Sequence, residues 1–124
     1  MAELASQYSR GFVMWRENAC KTDQIVAYLC FRFVVDDIHI LKIAVAPAHR
    51  KNGYGLQLLR HCLAIAKNCH ARTVFLEVRQ LNAAAIGLYQ KTGFYIEANH
   101  SDYYSDTHED AILMRKNILK EGYK

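Results

Sequence analysis

Residues 43–55 contain the residue types that bind a phosphate group. A predicted strand ends here, a basic loop with Arg50 and Lys51 follows, and Gly53 and Gly55 open a predicted helix. Glycine lets backbone amides approach a ligand that a Cβ atom would keep away. The first amides of a helix have no partner within the helix, and the helix dipole makes that end positive. The segment therefore predicts an anion site that suits a pyrophosphate.

Two common nucleotide-binding loops do not match this segment. A Walker loop continues with Gly-Lys-Ser/Thr, whereas Gly55 is followed by Leu56 and Gln57. A dinucleotide-binding loop has a third glycine three residues after the second, where this chain has Leu58. The glycines and basic residues are also compatible with a simple turn between solvated charges. The loop alone leaves both interpretations open.

A carboxylate and a phenol follow further along the chain. Glu77 lies in the otherwise apolar stretch 73–78, and Tyr89 lies on the next predicted helix. Burying a carboxylate without partners is costly. Glu77 therefore either serves a site or faces solvent, paired with Arg79 or Lys91. Tyr89 is either a core aromatic or a side chain whose hydroxyl reaches the same site.

The elements that position these residues follow from the hydrophobic pattern. Strands are predicted at residues 11–16, 24–34 and 38–45, joined by short polar turns as an antiparallel meander. The pattern then predicts a helix over 53–68, a strand over 73–78 and a second helix over 83–91. Asn82 caps this second helix and Gly93 ends it. Strands over 94–98 and 111–114, joined by a polar loop over 99–110, complete the order. This order predicts an α/β fold (α+β), a mixed sheet with helices packed on it.

Composition places the chain among intracellular globular domains. Its 124 residues are 52% hydrophobic and fit one domain, residues 1–124. The excess of 16 Lys+Arg over 12 Asp+Glu is unclustered, so we expect no direct nucleic-acid partner. The uncharged runs are too short to span a membrane, and residues 1–10 lack the pattern of a signal peptide. We expect a cytoplasmic protein without a membrane partner.

The cysteines and histidines do not form a metal-binding pattern. The four cysteines include no C-x-x-C pair, and we expect free thiols or small buried apolar residues. The six histidines show no H-x-x-x-H or H-E-x-x-H spacing, so we expect surface or packing roles and no metal site.

Taken together, three motifs resemble the GNAT acyl-CoA N-acyltransferases. They are Arg50-x-x-Gly53-x-Gly55, Leu76-Glu77-Val78-Arg79 and Asn82-Ala83-Ala84-Ala85-Ile86-x-Leu88-Tyr89-x-x-x-Gly93-Phe94. More narrowly, the chain is similar to the bacterial ribosomal-protein-alanine N-acetyltransferases, to which Tyr103-Tyr104 and the segment from Glu109 to Met114 also contribute. The resemblance covers about residues 26–114.

The resemblance implies a GNAT fold, with a mostly antiparallel, twisted sheet, and acetyl-CoA as cosubstrate. Acetyl-CoA would lie where the parallel strands 38–45 and 73–78 separate. The segment Ile43, Ala44 and Val45 would run along the pantetheine, with the backbone of Ile43 and Val45 pairing to it. Asn82 would help to hold this arm. The pyrophosphate would bind at Arg50 and at the amides of the turn, which are those of Lys51, Asn52, Gly53, Tyr54, Gly55 and Leu56.

The resemblance also implies roles in the reaction. Glu77 would take a proton from the attacking amine, Val45 N–H would stabilise the thioester oxygen, and Tyr89 would protonate the departing thiolate. The acceptor would be a protein N-terminus, by the narrower resemblance an alanine. Acetylation of lysine, a polyamine or another small amine is the first alternative. An inactive CoA-binding regulatory or interaction module is the second.

The chain differs from the family pattern in two places. Family members place a strand and two helices before the meander, whereas about ten residues precede Gly11, so we expect this part to be shortened or missing. An uncovered apolar surface favours self-association, and we expect a homodimer. Before the paired tyrosines, Asn99-His100-Ser101-Asp102 replaces the subgroup's basic residues. The acidic residues of this loop suit a basic peptide or are solvated.

Overall fold

The computed structural model describes the backbone of residues 2–5, 10–17, 23–50, 53–104 and 108–118. Side chains are described for residues 26–48, 50, 53–101 and 108–118. Within these ranges, neither helix has the length and apolar composition needed to cross a membrane. Cys20, Lys51, Asn52 and the side chains of His49, Tyr103 and Tyr104 lie outside the described part.

Seven strands form one mixed sheet in the described residues. They are β1 (Ala2–Ala5), β2 (Arg10–Glu17), β3 (Asp23–Val34), β4 (Asp37–Val45), β5 (Thr73–Arg79), β6 (Tyr95–Tyr104) and β7 (Glu109–Asn117). The order across the sheet is β1-β2-β3-β4-β5-β7-β6. The β4–β5 pair is parallel, as the family resemblance implied, and the other neighbours are antiparallel, including the predicted meander β2–β3–β4. β1 was not predicted, because Ala and Glu are weak strand formers and only its pairing with β2 orders it.

Two helices pack on this sheet, at the predicted positions. A 3-10 turn, Pro47–His49, leads from β4 towards α1 (Tyr54–Asn68), and α2 (Ala83–Lys91) follows β5. α1 packs against β3, β4 and β5 through an apolar face that is fully buried. Residues of both helices and of the central strands form one core, whose largest fully buried members are Leu29, Phe31, Ile38, Leu58, Leu59, Leu76 and Met114. The two helices therefore share a hydrophobic layer with β4 and β5.

The polar loop predicted over residues 99–110 is wrong. β6 continues to Tyr104 and β7 begins at Glu109, so the two strands form a longer hairpin. The pairs Asn99↔Ile112 and His100↔Ala111 hold this extension in the sheet. β6 is the last strand in the order, and an edge strand can present polar side chains to water while its backbone pairs on the other side. Polar composition therefore gave a misleading loop signal here.

Candidate active site

A cleft opens between β4 and β5, the two parallel strands. They pair from Asp37↔Thr73 to Ile40↔Leu76, and no further pairs follow between their described residues. At the same level β4 contains a bulge, because Phe31 pairs with Ile40 and the preceding Cys30 pairs with Lys42. The extra residue between them, Leu41, bends the strand away from β5. The bulge is the physical reason for the separation that the family resemblance implied.

A cavity of about 210 Å³ fills this cleft. Four residues that the sequence singled out line it together, namely Ile43, Glu77, Asn82 and Tyr89. They come from β4, β5 and the start and end of α2, which the fold brings to one place. The cavity opens alongside the unpaired edge of β4, where an extended ligand can add to the sheet as a further strand.

The glycine turn ends at the N-terminus of α1. Gly53 is the N-cap residue, with a φ of 80° in the left-handed region, where a side chain is strained. Neither a side-chain cap nor an acidic residue occupies this end in the described part of the chain. Gly55 faces the core, since a Cβ built on it would lie 3.5 Å from Leu88 Cδ2 and 3.8 Å from Val45 Cγ2. The first amides of α1, including those of Tyr54, Gly55 and Leu56, therefore suit an anion.

Arg50 lies beside the end of β4 and is not among the residues lining the cavity. Its side chain is exposed, and its Nε donates a hydrogen bond to the carbonyl of Val45 at 3.3 Å. Val45 is half-buried and packs against the core, and Ala44 is half-buried next to it. Arg50 thus stands between the predicted pantetheine and pyrophosphate segments.

Asn82 begins α2 as predicted. Its Oδ1 accepts a hydrogen bond from the amide of Ala85 at 3.2 Å, the arrangement of an N-cap. Because the oxygen serves the helix, the side-chain NH₂ group is the part that can donate to a ligand in the cavity.

Glu77 pairs with a residue that the sequence analysis did not assign to the site. Its Oε1 lies 3.1 Å from His39 Nε2, and the two side chains are 22% and 13% exposed. The alternative partner Arg79 instead pairs with Glu109, at 3.5 Å. His39 lies between the buried Ile38 and Ile40, and this alternation was the available sequence signal. The register between β4 and β5 brings His39 to Glu77, and the sequence carries no signal for that register.

The His39 ring is held in a partly buried, stacked position. It lies against Phe75 with ring centroids 4.5 Å apart and planes 10° from parallel. Burial lowers the pKa of His39, and the positive charge of Arg32 adds to this, while the Glu77 carboxylate opposes it. The net direction is downward, so the imidazole is neutral at neutral pH.

Tyr89 is buried, with 8% of its surface exposed, and lines the cavity. Its ring lies 5.8 Å from that of Phe94 in a tilted arrangement. The carbonyl of Tyr89 accepts from the amide of Phe94 at 3.0 Å and from Thr92 Oγ1 at 2.9 Å. Tyr89 is therefore both a core aromatic and a wall of the cleft.

A second cavity, of about 400 Å³, lies beside β5 and β7. It is lined by Phe75, Glu77, Ala98, Asn99, His100, Leu113 and Arg115. Leu76 and Val78 are buried in the core, so Phe75 and Glu77 project from the other face of β5. Glu77 is the residue common to the linings of both cavities, so it lies where their contents can meet.

Neither the cysteine thiols nor the potential metal ligands of the described residues form a further candidate site. Cys30, Cys62 and Cys69 are free, as expected, and burial raises the pKa of the Cys62 thiol to about 12. No three or more His, Cys, Asp or Glu side chains of the described part converge as metal ligands.

Comparison with known proteins identifies the family. The model of the acetyltransferase (GNAT) family matches residues 2–94. The ribosomal protein bS18-alanine N-acetyltransferase of Salmonella typhimurium is 37% identical over 94 residues, which are 74% of this chain and 64% of that protein. The chain thus spans a little under two thirds of the length of this relative.

Solved structures agree with this match. The ribosomal-protein-S18-alanine N-acetyltransferase from Escherichia coli superposes with a TM-score of 0.81 at 32% identity, covering 95% of this chain and 74% of the other. A GNAT family acetyltransferase from Elizabethkingia anophelis with acetyl-CoA bound shares the fold, with a TM-score of 0.78 at 21% identity over 89% and 76% of the two chains. The sheet with its parted parallel strands is thus that of a known enzyme family, and the chain belongs to the GNAT acetyltransferases.

Proposed function

We propose that this protein transfers an acetyl group from acetyl-CoA to a primary amine, and that the preferred acceptor is a protein N-terminal alanine. The observation that carries the proposal is the position of Glu77, which lines both the cleft between β4 and β5 and the cavity beside β7. A thioester in the first and an amine in the second would meet at one carboxylate. This arrangement supports direct attack in a ternary complex.

Acetyl-CoA is proposed to lie in the cleft as an added strand. The backbone of β4 after the bulge, including Ile43, Ala44 and Val45, has no partner strand on the β5 side among the described residues. The pantetheine amides would pair with this edge, and the Asn82 NH₂ group would add a hydrogen bond. The cavity lining by Ile43 and Asn82 supports this placement.

The pyrophosphate is proposed to bind at the start of α1. Support comes from the left-handed Gly53 at the N-cap, where no side chain of the described residues caps the first helical amides. Arg50 is close enough to the end of β4 to add a positive charge. The sequence predicts that Lys51 and Asn52 also belong to this site.

The reaction needs a neutral amine and two proton transfers. An α-amino group with a pKa near 8 is about one-tenth neutral at pH 7, whereas a lysine near 10.4 is neutral in roughly one molecule per several thousand. Glu77 accepts the proton of the attacking amine, and Val45 N–H stabilises the developing oxyanion. The new C–N bond forms as the C–S bond breaks, and Tyr89 gives its hydroxyl proton to the sulfur.

The choice of alanine rests on the second cavity and on the relatives. Phe75, Ala98 and Leu113 give this cavity an apolar wall that suits a small uncharged side chain. Arg115 also lines it, and a cation there disfavours the second charge of a polyamine. The Salmonella relative is named for the alanine of a ribosomal protein.

Thiol release from acetyl-CoA tests the proposal. A basic peptide beginning with alanine should turn over faster than spermidine or an Nα-acetylated copy with the same lysines. Glu77→Gln and Tyr89→Phe should each lower kcat by about 10²–10⁴-fold, with CoA uptake retained. Equal turnover of wild type and Glu77→Gln would show that the base is misassigned.

The same experiment separates the alternatives. Faster turnover of the polyamine or of the lysine side chain would assign the enzyme to another amine. CoA uptake without turnover on any amine would identify a binding module. Calorimetry that detects no uptake of CoA or acetyl-CoA at millimolar concentration would refute all three interpretations.

A further inference from the structure

We propose that His39 is a positioning residue for Glu77, whose carboxylate it holds oriented between the two cavities. The inference rests on the proposed function, in which Glu77 accepts the amine proton. It goes beyond that function because His39 lines neither cavity and so acts only through the carboxylate.

The hydrogen bond fixes the tautomer of the imidazole. An ionised carboxylate only accepts hydrogen bonds, so the 3.1 Å contact between Nε2 and Oε1 requires the proton to be on Nε2. Nδ1 then carries a lone pair, and among the described residues this buried atom has no partner. A second proton at Nδ1 would create a buried donor without an acceptor, which is costly. The ring is therefore a stable neutral donor to Glu77.

A row of side chains across four strands keeps the ring in place. Arg32, His39, Phe75 and Arg115 are consecutive register partners on β3, β4, β5 and β7. Phe75 stacks on the imidazole at 4.5 Å and carries the Arg115 guanidinium 5.0 Å from its ring centroid on the β7 side. His39 is thus fixed by packing before any substrate arrives.

The charged groups around His39 divide between its two protonation states, and burial of the ring decides for the neutral one. Glu77 faces it from β5 and Arg32 from β3, and Arg115 lies beyond Phe75 on β7. On β4 itself, the Asp37 carboxylate pairs with Arg72 at 3.2 Å and lies 3.9 Å from Arg115. Arg115 in turn pairs with Glu97 at 2.8 Å. Glu77 is the anion in hydrogen-bond contact with the ring.

The proton balance leaves His39 unchanged. Oε1 of Glu77 is occupied by the imidazole, and Oε2 has no partner among the described residues. The amine proton therefore moves to Oε2, directly or through a water, while His39 keeps its own proton on Nε2. His39 therefore orients the carboxylate without taking part in the proton transfer itself.

Two matched substitutions test the role. The amide nitrogen of glutamine reaches the position of Nε2, whereas that of asparagine reaches only Nδ1. We expect His39→Gln to keep the wild-type kcat/KM. We expect His39→Asn to lower kcat/KM by about 10–100-fold, with CoA uptake unchanged in both variants. Equal kcat/KM values for the two variants would overturn the proposal.

Nitrogen NMR of the wild-type imidazole tests the same bond without activity or substitution at His39. We expect the neutral Nε2–H tautomer at pH 7, with its Nε2 resonance moved by Glu77→Gln. The Nδ1–H tautomer, or a resonance indifferent to Glu77→Gln, would refute the positioning role even if a His39 variant failed to fold. Absence of turnover with the expected tautomer present would instead count against the proposed function.

Discussion

Replacing Gly53 with alanine should separate the shape of the anion loop from the stability of the helix. Gly53 has a φ of 80°, and apart from its chain neighbours no atom of the described residues lies within 4 Å of a Cβ built on it. The cost is therefore backbone strain rather than collision, about 1–2 kcal/mol for a non-glycine residue in the left-handed region. If the loop keeps its shape, this strain lowers the free energy of unfolding. If the loop relaxes, the strain must be restored when CoA binds.

The strain energy divides between a loss of stability and a loss of CoA affinity, so the two losses together should equal about 1–2 kcal/mol. A relaxed loop predicts a CoA Kd raised by about 5–30-fold. A rigid loop predicts a fall in Tm of about 3–10 °C with Kd unchanged. Gly55→Ala is the matched control, since its Cβ would meet Leu88 and Val45 at ordinary contact distances and alanine favours a helix by about 0.5–1 kcal/mol.

Calorimetry with CoA and thermal denaturation measure both terms on the same samples. Gly55→Ala should bind CoA within about twofold of the wild type and melt no lower. Gly53→Asn should recover part of the loss, because asparagine visits the left-handed region more readily. The reasoning fails if Gly53→Ala matches the wild type in both Tm and Kd, or if Gly55→Ala loses more CoA affinity than Gly53→Ala.

Four further predictions concern other parts of the molecule. Asn82→Ala should lower stability by about 0.5–2 kcal/mol through loss of the α2 cap, whereas Asn82→Asp should keep the Tm and weaken CoA uptake in calorimetry, because it lacks the amide donor. Burial alone would raise the pKa of the Asp37 carboxyl, but its bonds to Arg72 and to a threonine hydroxyl outweigh this and lower it below 3.8. Asp37 thus stabilises the fold above this pH and the effect is lost on acidification, so Asp37→Asn should unfold more easily at pH 7 and show a flatter acid-denaturation curve. Alkylation at pH 8 followed by peptide mapping should label the exposed Cys69 and spare Cys62, whose thiol pKa is about 12. The homodimer stays a prediction, and a monomer in sedimentation at tens of micromolar would contradict it.

The limits of the sequence analysis are clearest at β6. Residues 99–102 are polar, and 99–101 are exposed, so the composition of this stretch resembles that of a loop. Its strand conformation comes from pairing with β7, the neighbouring strand in the sheet and the next strand in the chain. β1 is a similar case, because four residues with weak strand propensity become a strand only against β2. An edge strand is defined by its partner, and the composition of the strand itself does not show that pairing.

By itself, the sequence determined the helices, the central strands and the types of the reactive groups. α2 has the predicted bounds because its cap, its apolar face and its terminal glycine are all local signals. Glu77 stood out as a carboxylate in an apolar strand, whereas the site roles predicted for Asn82 and Tyr89 came from the family resemblance. The tertiary structure decided how these groups meet. The bulge at Leu41 and the short β4–β5 register open the cleft and place His39 against Glu77, 38 positions apart in the chain. Register is set by packing and hydrogen bonding across the whole sheet, so no local pattern in either strand specifies it.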